Sequence, residues 1–218
     1  MIGIDLRCGI AHDMLVHMRS ATVDLAIVDP PWIFDQRFGA SAATDHYDGM
    51  TYAEILADLE LLRPICKRIL VWFSNAHLGP FVWDMVRAGW PPPVTGGSWD
   101  KGPVKYGQGY HAAGRTEPWL LWAAGDVGHN DREVLLETGC SEPAKVHSMK
   151  PVSYQNRMVR RWVPPGGLVV DPYAGFGTVA KAVQQAGEGR RYMGREKSDR
   201  RHADACVWLG LTAADVVG

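Results

Sequence analysis

Two short stretches of this chain carry residue types that could do chemistry together: Asp29-Pro30-Pro31-Trp32 and Asp171-Pro172-Tyr173-Ala174-Gly175-Phe176-Gly177-Thr178. The first offers an acid, a rigid carbonyl and a flat aromatic ring. That set suits an exocyclic amino group on a planar ring, because Asp29 and a proline carbonyl can accept its two N–H bonds while Trp32 stacks on the ring. The second offers two glycines between an acid and a helix start. Gly175 and Gly177 let the main chain approach a ligand closely, and a helix opening near Thr178 presents unpaired N–H groups. The six-residue glycine pattern of dinucleotide sites is absent, so the ligand that fits is an adenosyl group without phosphates. Glu196 ends a later apolar run, at about the distance beyond Asp171 where a Rossmann-type acid meets ribose hydroxyls. Blander readings exist for both stretches. Asp-Pro-Pro-Trp can simply end a strand, and Asp171 can pin its own turn by bonding nearby N–H groups.

The elements that must position these groups follow from apolar patterning. The run 23–28 is apolar and ends in two prolines, neither of which can donate to a sheet ladder, so a buried parallel strand stops there. In an open α/β sheet, ligands bind in the crevice outside the carboxyl ends of the strands. Strands are predicted over 2–8, 23–29, 68–73, 117–124, 168–171 and 191–196. Helices are predicted over 12–19, 52–62, 78–88, 152–162, 178–186 and 198–209, with Thr51 capping the second and Glu54 closing a capping box. Strands alternating with helices predict a largely parallel sheet covered on both faces. Residues 33–49 have no clear period and predict a mobile loop over the site, and residues 125–147 predict a surface excursion.

The 218 residues predict one domain, 1–218, with a substantial core. A formal net charge of −1 leaves no overall field for a polyanion, so local patches must do any such work. The best of these is the glycine-rich segment holding Lys101, Lys105 and Arg115 with Tyr106 and Tyr110. Arg157, Arg160, Arg161, Arg190 and Arg191 sit on or beside scaffold elements and read as solvated charges. Cys8, Cys66, Cys140 and Cys206 show no paired spacing and the histidines are scattered, so no metal site and no disulfide framework is expected. With no signal peptide and no bilayer-length apolar run, a cytoplasmic protein is expected.

Taken together and in this order, the two stretches resemble the amino-methyltransferases of the permuted β group, which methylate adenine N6 or cytosine N4 in DNA. The resemblance extends over nearly the whole chain. His147-Ser148-Met149-Lys150-Pro151 resembles the family's stretch that contacts the methionine end of the cofactor, and Trp99-Asp100-Lys101 and Glu117-Pro118-Trp119 also have counterparts there. It implies a Rossmann-like class I methyltransferase fold, mainly parallel and circularly permuted in motif order, without a separate target-recognition domain. It implies S-adenosylmethionine as cofactor and DNA as partner, with a monomer or homodimer both open. Asp29, Pro30, Pro31 and Trp32 would then be catalytic. Ser148, Lys150, Asp171, Pro172, Tyr173, Ala174, Gly175, Gly177, Thr178 and Glu196 would hold the cofactor, with Lys150 at the methionine carboxylate. Lys101, Lys105 and Arg115 would meet nucleic acid. Aspartate first and tryptophan fourth favour adenine in DNA. An RNA adenosine-N6 enzyme, a DNA cytosine-N4 enzyme and a non-catalytic partner subunit are the rivals; Trp32, 47–50 and 147–151 also resemble messenger-RNA adenosine methyltransferases. The family commonly has Gly-Asp after the first strand, whereas this chain has Gly9-Ile10.

Overall fold

Along the chain the elements are β1 (Ile4–Cys8), α1 (Ala11–His17), β2 (Leu25–Val28), α2 (Tyr52–Leu62), β3 (Arg68–Trp72), α3 (Asn75–Arg87), β4 (Thr95–Asp100), β5 (Thr116–Ala123), α4 (Val152–Trp162), β6 (Leu168–Asp171), α5 (Thr178–Ala186), β7 (Arg191–Glu196) and α6 (Asp199–Leu209). The computed structural model describes residues 3–18, 23–33, 48–100, 116–124 and 149–212. The loop expected over 33–49 and the excursion expected over 125–147 therefore lie almost wholly outside the described residues, as do Lys101, Lys105, Arg115 and Ser148.

The strands form one sheet in the order β1-β7-β6-β2-β3-β5-β4. β1, β7, β6, β2 and β3 are mutually parallel, whereas β5 runs antiparallel to β3 and β4 antiparallel to β5. The expectation of a largely parallel sheet thus holds, with five parallel strands and an antiparallel pair at one edge. β4 was not predicted at all. Its sequence Thr-Gly-Gly-Ser-Trp-Asp is poor in strand formers, and what admits it is room: a Cβ on Gly97 would come within 2.7 Å of the Trp119 ring on β5.

All four residues of β2 and all four of β6 are buried, as strands covered on both faces require. Alternate side chains divide between two cores. Leu25, Ile27 and Val169 pack with residues of α4, α5 and α6, while Ala26, Val28 and Val170 pack with those of α1, α2 and α3. Asp24, at the foot of β2, fixes the register. Its Oδ2 accepts the Leu168 N–H at 2.9 Å and its Oδ1 accepts from Lys67 at 2.6 Å. α2 begins where the sequence placed it, with Thr51 and Glu54 in a reciprocal capping box.

One consequence of this order positions everything that follows. From β2 the chain moves to β3 on one side, and from β6 it moves to β7 on the other. The two strands are direct neighbours, paired Leu25 to Val169 and Ala26 to Val170. The crevice between their carboxyl ends is the topological switch point of the sheet.

Candidate active site

Both turns singled out by sequence open into this crevice, one from the end of β2 and one from the end of β6. The proline turn is tight: the Pro30 carbonyl accepts the Trp32 N–H at 2.9 Å and the Pro31 carbonyl accepts the Met50 N–H at 2.8 Å. A carbonyl oxygen has two lone pairs, so the Pro30 oxygen keeps capacity for a second donor. The Asp29 side chain is 35% exposed at the crevice.

Lys150 stands against the proline turn. The residue is brought to the site, and its Nζ donates to Asp29 Oδ2 at 2.6 Å and lies 3.0 Å from Glu117 Oε2, with the Trp72 ring centroid 5.2 Å away. At 5% exposure it is far more buried than the Asp29 side chain it meets, which is 35% exposed. Burial alone would lower its affinity for a proton, yet the two carboxylates outweigh burial and hold the ammonium above its ordinary range. In this arrangement Lys150 backs the acid of the proline turn.

Trp32 lies deep beside the turn. The indole is only 4% exposed. It stacks on His77 at 5.1 Å and on Phe73 at 5.7 Å, and meets Phe81 edge-on at 5.2 Å. Tyr52 and His77 close the cluster with a 2.7 Å hydrogen bond. Packed on these neighbours, the indole forms the wall behind the turn.

The glycine turn is held from three directions. Glu196, at the end of β7, accepts the Gly175 N–H on Oε2 at 2.8 Å and the Ser198 N–H on Oε1 at 2.9 Å. Tyr173 donates to Asp58 Oδ2 at 2.7 Å, and the other Asp58 oxygen is shared with His12 at 2.8 Å. Asp171 accepts the Tyr173 N–H at 3.3 Å and the Tyr192 hydroxyl at 3.1 Å, so it does pin its own turn. Burial pushes the Asp171 carboxyl up to about 8, the tyrosine hydroxyl and the backbone N–H opposing and the charges of Asp29 and Glu196 adding to the rise.

The two glycines differ in purpose. Gly175 has φ of +54° and nothing within 4 Å of where a Cβ would stand, so its face is open to a ligand. Gly177 has φ of +76°, and a Cβ there would meet Leu209 at 3.2 Å and Ala205 at 3.4 Å. It is a packing glycine that lets α6 approach. Of the remaining residues expected at the cofactor, Ala174 and Thr178 are buried and Tyr173 is half-buried.

Several site residues escaped the sequence. Glu117 carries no local signal, because an antiparallel strand brings its start, not its end, to the crevice edge. Asp58 and His12 lie on helices far along the chain from Tyr173. Tyr192 reaches Asp171 only because Gly194 leaves its ring room, since a Cβ there would collide with the phenol. Among the described residues, no group of three or more His, Cys, Asp or Glu side chains is placed to hold a metal ion. No described helix is long and apolar enough to cross a membrane.

Comparison with known proteins bears on this crevice. Residues 103–206 match the family model of N6/N4 methyltransferases, described as DNA methylase. The match takes in β5, Lys150, the glycine turn and Glu196, while the proline turn lies outside it and stands on the sheet geometry. The fold is similar to the M1.HpyAVI–SAM complex, at TM-score 0.68 and 16% identity over 94% of this chain and 100% of that one. It is also similar to the PvuII DNA methyltransferase (cytosine-N4-specific), at TM-score 0.73 and 14% identity over 97% of this chain and 87% of that one. At such identities the likeness is one of fold, and the fold is an α/β Rossmann-like methyltransferase sheet. No curated protein sequence matches the chain significantly. The resemblance to DNA amino-methyltransferases drawn from the two turns accords with these matches, and the likeness to messenger-RNA enzymes is minor beside it.

Proposed function

We propose that this chain transfers a methyl group from S-adenosylmethionine to the N6 amino group of adenine in DNA. The observation that carries the reading is the pairing of β2 with β6, which opens the proline turn and the glycine turn into one crevice. The open face at Gly175 and the carboxylate of Glu196 beside it form a cradle suited to an adenosyl group, and Asp171 and Tyr173 stiffen its floor. When bound, the cofactor supplies an electrophilic methyl on a sulfonium sulfur.

The chain's own contribution is to prepare the nucleophile. The lone pair of an aromatic amine is delocalised into its ring, which makes the nitrogen a poor attacker. Asp29 and the second lone pair of the Pro30 carbonyl accept its two N–H bonds and draw the nitrogen toward tetrahedral geometry, freeing the lone pair. Asp29 need not remove a proton beforehand, because the amine becomes strongly acidic once the methyl is on it. The proton then leaves by way of Asp29, which is the more exposed member of its ion pair. Positioning is the main term. A base inside a duplex cannot reach this crevice and would be flipped out of the stack.

Aspartate first and tryptophan fourth in the proline turn favour adenine. Cytosine N4 is the second reading, favoured by the similarity to the PvuII enzyme, whose name gives that specificity. The deciding experiment is transfer of tritiated methyl onto DNA and RNA of defined sequence, followed by mass analysis of the nucleosides. N6-methyladenine in DNA is the expected product, N4-methylcytosine selects the second reading, and label on RNA alone overturns both.

A further inference from the structure

Glu117 has no part in the scheme above, yet it shares a buried cation with the acid that scheme depends on. Lys150 Nζ lies 2.6 Å from Asp29 and 3.0 Å from Glu117. The Glu117 side chain is 16% exposed and the Lys150 side chain 5%. A lone ammonium this close to Asp29 would weaken the carboxylate as a hydrogen-bond acceptor, since acceptor strength follows affinity for a proton. A second carboxylate on the same ammonium reverses part of that effect. The trio then carries a charge of −1, where a simple pair would carry none, and sits where positive charge passes from sulfur to nitrogen.

We propose that Glu117 is a positioning residue for methyl transfer: by sharing Lys150 it fixes the ammonium behind Asp29 and restores the strength of Asp29 as acceptor of the amine N–H bonds. This rests on the amino-methyl transfer proposed above. Among the described residues, charged groups gathered around Asp29 include Lys150 from the segment before α4, Glu117 from β5 and Asp171 at the end of β6, with Glu196 on β7 facing Asp171 in turn.

Glu117→Gln tests it, keeping the shape and an acceptor oxygen for Lys150 while removing the charge. Because both carboxylates touch one nitrogen, they lie within about 6 Å of each other, and losing one charge should let Asp29 ionise roughly one pH unit lower. In single-turnover methyl transfer with saturating cofactor, the acid limb of the pH profile is expected to move down by about that amount. The plateau rate is expected to fall about three- to ten-fold as acceptor strength drops. Cofactor affinity should stay within about three-fold, Glu117→Asp should restore limb and plateau together, and Lys150→Met should move the limb the opposite way. A fallen plateau with the limb unmoved, or moved up, means Glu117 only supports the fold and overturns the proposal. Carbon-13 titration of the Asp29 carboxyl in the cofactor-free protein reads the coupling without any activity. There Asp29 and Glu117 should titrate as a coupled pair in the unmutated chain, even if no variant folds, and two independent single-step curves overturn the proposal. A chain that transfers no methyl yet shows the coupled titration overturns the methyl-transfer reading and leaves the coupling standing.

Discussion

Glu196→Gln separates two roles that one carboxylate can play at the glycine turn. The side chain is 8% exposed, and its oxygens accept N–H bonds from Gly175 at 2.8 Å and from Ser198 at 2.9 Å. Glutamine keeps the shape but turns one acceptor oxygen into an amide group that can only donate, so one backbone N–H meets another donor. The surviving bond changes from charge-assisted to neutral. A hydrogen bond to a charged group contributes about 1.5–3 kcal/mol, a neutral one about 1, and a buried donor left unmatched costs about 1–3. The expected loss is therefore about 2–3 kcal/mol of unfolding free energy with no cofactor present. Urea unfolding of the cofactor-free protein measures that loss directly. Calorimetric titration with S-adenosylhomocysteine should show about a 10- to 100-fold weaker Kd, as the turn loosens and the ribose contact proposed for Glu196 is lost. Stability within about 0.5 kcal/mol of the unmutated chain, with only affinity lost, would refute the latch argument: Glu196 would then be a ligand contact and nothing more.

Asp29→Asn leaves Lys150 an acceptor and should lower single-turnover transfer about 10²- to 10⁴-fold while cofactor affinity stays within a few-fold; equal loss of both would sink the role given to Asp29. Trp32→Ala empties a site walled by His77, Phe73, Phe81 and Tyr52, and should cost about 3–5 kcal/mol in chemical unfolding. A loss under about 1 kcal/mol would mean the indole is not part of the packed wall. Asp171 carries its own pH signature. Its folded form holds a proton up to about pH 8 while the unfolded chain releases it near pH 4, so the stability it contributes is complete below pH 4 and is lost as pH rises through 8. Asp171→Asn, uncharged throughout, should gain stability relative to the unmutated chain across that window, and a difference that is flat with pH would contradict the raised pKa.

How much of this was legible in the sequence depended on whether the signal was local. β6, α5, β7 and the capping box of α2 come out at or near their predicted bounds, because buried apolar runs, a glycine turn and Thr51 with Glu54 specify structure within a few residues. β4 failed because its stability comes from its partner: Gly97 is favourable only once Trp119 lies across it. The same limit governs the site. Asp29 and Gly175 could be chosen from their turns, but the place of Lys150 could not, since a lysine beside a proline is equally compatible with a ligand carboxylate and with a buried acid. The direction of β5, which delivers Glu117 to the same edge, is what brings Lys150 a second carboxylate. The packing of Trp32 is hidden for a related reason. Nothing near it in sequence shows that His77 and Phe81, on α3, would stack on and against its ring.

The charge at the crevice constrains what enters it. Among the described residues, Asp29, Glu117, Asp171 and Glu196 converge there with Lys150 as a cation shared between two of them. Even with Asp171 protonated at neutral pH, the cluster is net negative by two charges. A phosphodiester brought within a Debye length, about 8 Å at physiological salt, would be repelled. A neutral base and a sulfonium are not. The proposed reaction therefore asks the chain to hold the nucleic-acid backbone with cations set outside the crevice, and to admit the base alone. Base flipping answers that electrostatic demand as well as the steric one, since it carries the reacting nitrogen inward while the phosphates stay behind. The field that favours a cationic methyl donor is thus also what makes an extruded base, and no other part of a nucleic acid, an acceptable guest.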